Sequence, residues 1–370
     1  MGNAVFQEIK KRNVPSVFAL QNGETVKSVE DWNVRKQEIK KLYLSEVYGD
    51  TGLDKGSVKW DVVRQIDKFI ADKATYQYIQ VTYQSEQGEY QFPFHLTMPK
   101  GVEKAPIFLY LSFDAAPINA CMPLEEIIDL GYGVASMNYQ DLALDVPEYR
   151  GEKLSALVPE EKRKGCGTIA LWAFGASRIM DCLKDMPQVD FEKVAVVGHS
   201  RLGKTAIWAG AVDERYSMVI GNDAGAGGPA FFRGTSKETL KDLCRPQINF
   251  WFNDQFLTYA DRAEEIPLDQ HFLLSLIAPR HLYISSALDD EWADYQSEFL
   301  AAVEASKVYE LLGEKGLLGE DGTTENITYP EVGTIRHQGK IGMHVRPGNH
   351  FFSRYDWNQI IAYRKLHNCY

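Results

Sequence analysis

At 370 residues the chain is long enough for one large domain or two modest ones. Its 45% hydrophobic and 25% charged residues are ordinary for a globular protein. Asp and Glu number 51 against 40 Lys and Arg, a formal net charge of −11, and no basic cluster interrupts that balance, which excludes the phosphate backbone of a nucleic acid as a partner.

The five cysteines are widely spaced and form no C-x-x-C pair, so neither a zinc site nor a redox motif is expected. No stretch approaches the roughly 20 apolar residues of a spanning helix. The first residues lack the apolar run of a secretory leader. As written the chain is expected to be cytoplasmic, and secreted or periplasmic if a leader has been removed.

The first element read is a helix in "SVEDWNVRKQEIKKLYLSEVYG", where Ser28 and Asp31 have the spacing of a capping box. Three runs then alternate apolar and polar residues, "KWDVVRQI", "TYQYIQVTYQS" and "EYQFPFHLTMP", which predicts antiparallel strands with one wet face. "APIFLYLSF" and "GYGVASMNY" are apolar without alternation and suit buried parallel strands. From there helix and strand alternate. "GTIALWAFGASRIMDCLKDM" is an amphipathic helix, and "KVAVVGHS" is the strand after it. "KTAIWAGAVDERY" is helical, and "SMVIGND", "HLYISSALDD" and "KIGMHVRPGNH" are strands with their loops. "YDWNQIIAYRKLH" is a closing helix. This order predicts an α/β fold, a doubly wound and mostly parallel sheet with helices on both faces. A single domain is expected over 1–370, with 1–60 as an N-terminal helical extension and 224–279 as a cap-like insertion.

The strand running into Gly198-His199-Ser200-Arg201 and then a helix has the context of a nucleophile elbow. There Ser200 would stand at a helix N-terminus, where free N–H groups favour an oxyanion. The second glycine, Gly203, falls one place later than in G-x-S-x-G. A phosphate-binding loop around Gly203-Lys204-Thr205 is not expected.

Among eight histidines, His350 lies on the loop after the last strand, at the sheet edge where the elbow emerges, and is the candidate base. His199 is expected to point away from the site, His271 to be structural, and His337 and His367 to be exposed. Two acids follow strands at the same edge, Asp223 and Asp290, and either could orient the imidazole. Arg201 could donate to the oxyanion from its side chain. Lys204, one helical turn on, could bind polar groups of a substrate such as sugar hydroxyls.

The runs "GHSRLGKTA", "NDAGAGGPA", "PLDQHFLLSLIAPR", "DDEWAD" and "RPGNH" together resemble carbohydrate esterase family 15, the glucuronoyl esterases of α/β-hydrolase fold. The resemblance extends from about residue 105 to the C-terminus, and the family's elbow also carries its second glycine late. It implies Ser200 as nucleophile, Arg201 as oxyanion donor and His350 as base. Asp223 stands where many members have a Glu, and Asp290 where some bacterial members have an alternative acid. By the same resemblance Lys204 would bond glucuronate hydroxyls, Trp292 would stack on the sugar, and Glu238 would contact it. The implied reaction is hydrolysis of (4-O-methyl-)glucuronoyl esters, as in lignin–carbohydrate linkages of glucuronoxylan, by a monomer without metal or organic cofactor. The alternatives are another carbohydrate acyl esterase, of acetyl-xylan or feruloyl type, or a catalytically silent binding protein of the same fold.

Overall fold

The computed structural model describes residues 3–368; Cys369 lies outside them. Helices α1 (Ala4–Lys11) and α2 (Val29–Glu46) come first, α2 opening on the Ser28–Asp31 capping box. Strands β1 (Ser57–Phe69), β2 (Ala74–Ser85) and β3 (Gly88–Pro99) pair antiparallel. Then come β4 (Ala105–Ser112), α3 (Leu124–Asp129), β5 (Gly133–Asn138), α4 (Glu160–Arg163) and α5 (Thr168–Lys184). Next are β6 (Val189–His199), α6 (Arg201–Val212), β7 (Met218–Asn222), α7 (Leu240–Leu243) and α8 (Gln270–Ser275). The chain closes with β8 (His281–Ala287), α9 (Tyr295–Leu311), β9 (Ile335–Arg336), β10 (Ile341–Arg346) and α10 (Arg354–Leu366).

The strands form one sheet in the order β1-β2-β3-β5-β4-β6-β7-β8-β10-β9. From β5 to β10 every neighbouring pair is parallel. Those central strands are buried on both faces, so their side chains alternate between two apolar layers rather than between core and water. Ile107, Leu109, Val194, Val196, Val219 and Leu282 face one layer. Phe108, Tyr110, Ala195, Val197, Ile220 and Tyr283 face the other, where Ile127 of α3 and Trp357 and Ile360 of α10 cover them. This is the doubly wound α/β fold expected from the strand–helix alternation.

Helices α1, α3, α4 and α9 lie beyond the sequence reading. In α9 nearly every side chain from Ser297 to Tyr309 is buried, the polar Glu298, Glu304 and Ser306 included, so it shows no amphipathic stripe to read. In α1 the buried residues are Val5 and Ile9, one turn apart. Within the stretch 224–279, Phe231, Leu243, Phe250, Phe252 and Phe256 sit in the same core layer as α5 and α6.

The arrangement places four chain segments together. Strands β6, β7, β8 and β10 are consecutive parallel neighbours, so the loops after His199, Asn222, Ala287 and Arg346 leave the sheet at one carboxyl edge.

Candidate active site

Between β6 and α6 there is one residue, Ser200, held at φ 57° and ψ −129°. A positive φ at a non-glycine residue is costly unless the surroundings impose it. Here they do: the Ser200 N–H donates to the Asn222 carbonyl at 2.9 Å, and its carbonyl accepts from Lys204 N at 3.1 Å. The turn is so tight that a Cβ on Gly198 would stand 2.0 Å from the Leu202 carbonyl oxygen. A Cβ on Gly203 would press on Ala224 at 2.8 Å, so the late glycine is where α6 meets the end of β7. Ser200 is the N-cap of α6, so the first N–H groups of the helix, which lack partners within it, follow the serine directly.

Ser200 lines a cavity of about 360 Å³ with Arg201, Lys204, Asp223, Glu238, Arg245, Trp251, Asp290, Trp292 and His350. All eight residues named from the sequence therefore meet at one cavity. His350 Nδ1 lies 2.5 Å from Asp290 Oδ2. Burial works to raise the Asp290 pKa, but the hydrogen bond and charge of His350 outweigh it and hold the carboxyl below its ordinary range. Asp223 is pushed the other way, by burial first and then by the charge of Asp290. Its Oδ1 accepts from the Ala287 N–H at 2.7 Å, and its backbone sits at φ 44°. The two acids that sequence left level are thus unequal, because only Asp290 bonds the imidazole.

Arg201 extends along the cavity wall. Its Nη1 donates to Asp145 Oδ2, and its guanidinium lies 4.7 Å over the Trp251 ring. Asp145 is itself fixed by Trp251 Nε1 at 2.8 Å and by the Tyr139 hydroxyl at 2.8 Å. Arg201 Nε is buried with no partner among the described residues, a donor left over at the site. Lys204 is not a solvated helix residue, for it is only 3% exposed. Its Nζ donates to the Ala224 and Ala226 carbonyls at 2.7 and 2.6 Å and to Glu238 Oε2 at 2.8 Å. Those three bonds use all three ammonium hydrogens. Trp292, by contrast, is 47% exposed at the rim, with Arg245 stacked 4.6 Å over its ring.

The same run does carry G-x-x-x-x-G-K-T from Gly198 to Thr205, so spacing alone does not set a phosphate-binding loop aside. The fold does. A single residue separates strand from helix, leaving no loop to wrap a phosphate, and the lysine amine is spent on carbonyls and a carboxylate.

Residues 79–313, more than half of the chain, match the family described as "Glucuronyl esterase, fungi". The chain belongs to that family, carbohydrate esterase family 15. A glucuronoyl esterase from Solibacter usitatus is 32% identical and superimposes with a TM-score of 0.86, over 95% of this chain and 97% of that one. A structure described as a promiscuous family 15 esterase from a marine bacterial metagenome is 30% identical, covers 96% of both chains and has a TM-score of 0.84. The 4-O-methyl-glucuronoyl methylesterase of Schizophyllum commune is 25% identical over 339 residues, 88% of this chain and 77% of that protein. The protein is accordingly a carboxylic ester hydrolase of the glucuronoyl esterase family, with the α/β-hydrolase fold.

Within this family member, three histidine expectations need correction. His199 points into the site: its ring centroid is 4.4 Å from that of His350. The cause is its cross-strand pair, Asn222, whose Nδ2 donates to Ser285 Oγ at 2.9 Å and whose Oδ1 takes His199 Nδ1 at 2.6 Å. Burial, then the neighbouring His350, hold the His199 pKa down to about 4, so the ring is neutral. His337 and His367 are half-buried rather than exposed, with His337 Nε2 2.8 Å from the Tyr283 hydroxyl and His367 Nε2 2.6 Å from the His337 carbonyl. His271 is structural as expected, its Nε2 2.9 Å from the Pro15 carbonyl. Sequence reasoning missed Asp145, Trp251 and Arg245. Asp145 is 56 residues from the arginine it holds, and no local pattern marks such a pair.

Among the described residues no helix is long and apolar enough to cross a membrane. Asp223, Asp290 and His350 place ligand-type atoms within 4.8 Å of one another, a spacing equally suited to a hydrogen-bonded acid–imidazole group.

Proposed function

We propose that the protein hydrolyses glucuronoyl and 4-O-methyl-glucuronoyl esters, such as those joining glucuronoxylan to lignin alcohols, by two-step acyl transfer. The observation that carries this reading is the 2.5 Å contact of His350 with Asp290 in the cavity that also holds Ser200 at its strained turn. With Nδ1 on Asp290, His350 has Nε2 left to take the Ser200 proton. Ser200 Oγ attacks the ester carbonyl, and the oxyanion is held by Arg201 and the first N–H groups of α6. His350 then protonates the departing alcohol. Water, deprotonated by the same imidazole, releases the uronic acid and restores Ser200. No step calls for a metal or organic cofactor.

The sugar would rest against Trp292, with the Lys204–Glu238 pair as the polar wall. Since Lys204 is committed to three internal bonds, Glu238 is the better hydroxyl partner. Its Oε2 takes Lys204 and the Ala226 N–H, which leaves Oε1 to accept. The test is hydrolysis of benzyl glucuronate beside p-nitrophenyl acetate by the native protein and Ser200→Ala. Turnover of the glucuronate ester that disappears in the variant supports the reading. Activity on the acetate alone would replace it with a general carbohydrate acyl esterase, and no activity on either would leave a binding protein.

A further inference from the structure

Behind His350 lies a side chain that touches neither Ser200 nor the cavity. Arg346 ends β10 and is 6% exposed, and its guanidinium turns onto the loop that follows it. Nε donates to both carboxylate oxygens of Asp356 on α10, at 2.9 and 2.8 Å. Nη1 donates to the Pro347 carbonyl at 3.1 Å. Nη2 donates to the Asn349 carbonyl at 3.2 Å and to the Phe351 carbonyl, and it comes within 3.5 Å of Asp223 Oδ2. One planar fork therefore grips the carbonyls on both sides of His350. The loop is shaped to it, since Gly348 has φ 101° and a Cβ there would stand 3.2 Å from Arg346 Nη1.

The anchor at the other end is equally fixed. Asp356 also accepts from Ser353 N at 2.8 Å and Ser353 Oγ at 2.6 Å, and lies 2.9 Å from His344 Nε2. A buried ion pair of this kind adds little net stability over an apolar replacement. What it does supply is geometry, because a guanidinium presents several donors in fixed directions where an ammonium presents a point charge.

We propose that Arg346 is a positioning residue for ester hydrolysis, clamping the carbonyls that flank His350 so that the imidazole stays on Asp290 and turned to the Ser200 cavity. This rests on reading Ser200, His350 and Asp290 as the reacting group. Because Arg346 does not line the cavity, its loss leaves substrate binding alone and acts on the chemical step.

The test compares Arg346→Lys with His344→Gln, which removes a different partner of the same Asp356 carboxylate. Each is assayed for kcat and KM on benzyl glucuronate, for melting temperature, and for the low-field proton resonance of the His350–Asp290 hydrogen bond. A misplacement of the imidazole by an ångström costs about 100-fold in kcat, and that loss is expected for Arg346→Lys, with its resonance broadened or gone. KM is expected to stay within about twofold, since no ground-state contact is lost. His344→Gln lowers the melting temperature but keeps native kcat and resonance. Gly348→Ala strains the same clamp from the loop side and is expected to lower kcat likewise, which keeps the proposal open to refutation if Arg346→Lys does not fold. Native kcat with an unshifted resonance in a folded Arg346→Lys or Gly348→Ala overturns it. So does an equal kcat loss in His344→Gln, which would make the role one of general packing around Asp356. A native protein silent on benzyl glucuronate would instead count against the proposed function, and the resonance would still read the clamp.

Discussion

Lys204 and Trp292 line the same cavity, yet one is 3% exposed and the other 47%. The floor around Lys204 is closed on itself. Its ammonium holds two carbonyls of the 224–226 turn and Glu238, while Glu298 from α9 accepts from the Gly225 N–H at 2.8 Å and bonds Ser286. The rim is open, with Trp292 backed by the Arg245 cation. A floor whose polar groups are already paired needs no reorganisation when charge develops above it, and such preorganisation is where hydrolases gain most of their rate. A rim with an exposed aromatic ring contributes contact area for a sugar face instead. On the proposed reading the floor serves the chemical step and the rim serves affinity.

Substitutions at the two places should separate these roles. The largest effect is expected at the acid that His350 touches. Asp290→Asn should lower kcat by on the order of 10³–10⁴, as loss of the orienting carboxylate does in a serine triad. Asp223→Asn should cost far less, because its carboxylate bonds the Ala287 N–H and not the imidazole. Equal losses would show that the two acids share the role. If Arg201 serves the oxyanion as proposed, Arg201→Ala should lower kcat by about 10²–10³ with KM little changed.

The comparison itself is sharpened by Lys204→Met and Trp292→Ala. The first leaves Glu238 buried without its cation and should destabilise the fold by about 3–5 kcal/mol in chemical denaturation. The second should leave stability unchanged and raise KM about tenfold, the equivalent of 1.4 kcal/mol. Native stability in Lys204→Met would break the idea of a self-paired floor.

A separate effect concerns pH. Burial above all pushes the Glu298 carboxyl up to about 8 from an ordinary 4.5. Between those values the folded protein holds a proton that the unfolded chain has released, so stability falls as pH rises through that window. Glu298→Gln keeps a neutral group of the same shape and should flatten that slope. Thermal melts across the window check it, and an unchanged slope would assign the pH dependence to other groups.

Much of the site was legible because its residues follow strand ends. Ser200 and His350 each sit next to a glycine-marked break after an apolar run, and parallel strands bring such breaks to one edge. The choice between Asp223 and Asp290 was not legible. It depends on a left-handed backbone at Asp223 and on how far each loop reaches, and neither leaves a local pattern. Lys204 was legible as a residue of the cavity wall, but nothing local shows that its amine meets carbonyls 20 and 22 residues away. His199 was expected to point away across the tight turn at Ser200 and is turned inward by its cross-strand asparagine. Helix α9 escaped notice because it is buried on every side.

The most direct test of the central claim is to quench the native enzyme in acid during turnover of benzyl glucuronate and weigh the peptide that contains Ser200. The account predicts a glucuronoyl adduct on Ser200 that is absent from His350→Ala. Turnover with the adduct on another residue, or turnover that survives Ser200→Ala, would contradict it.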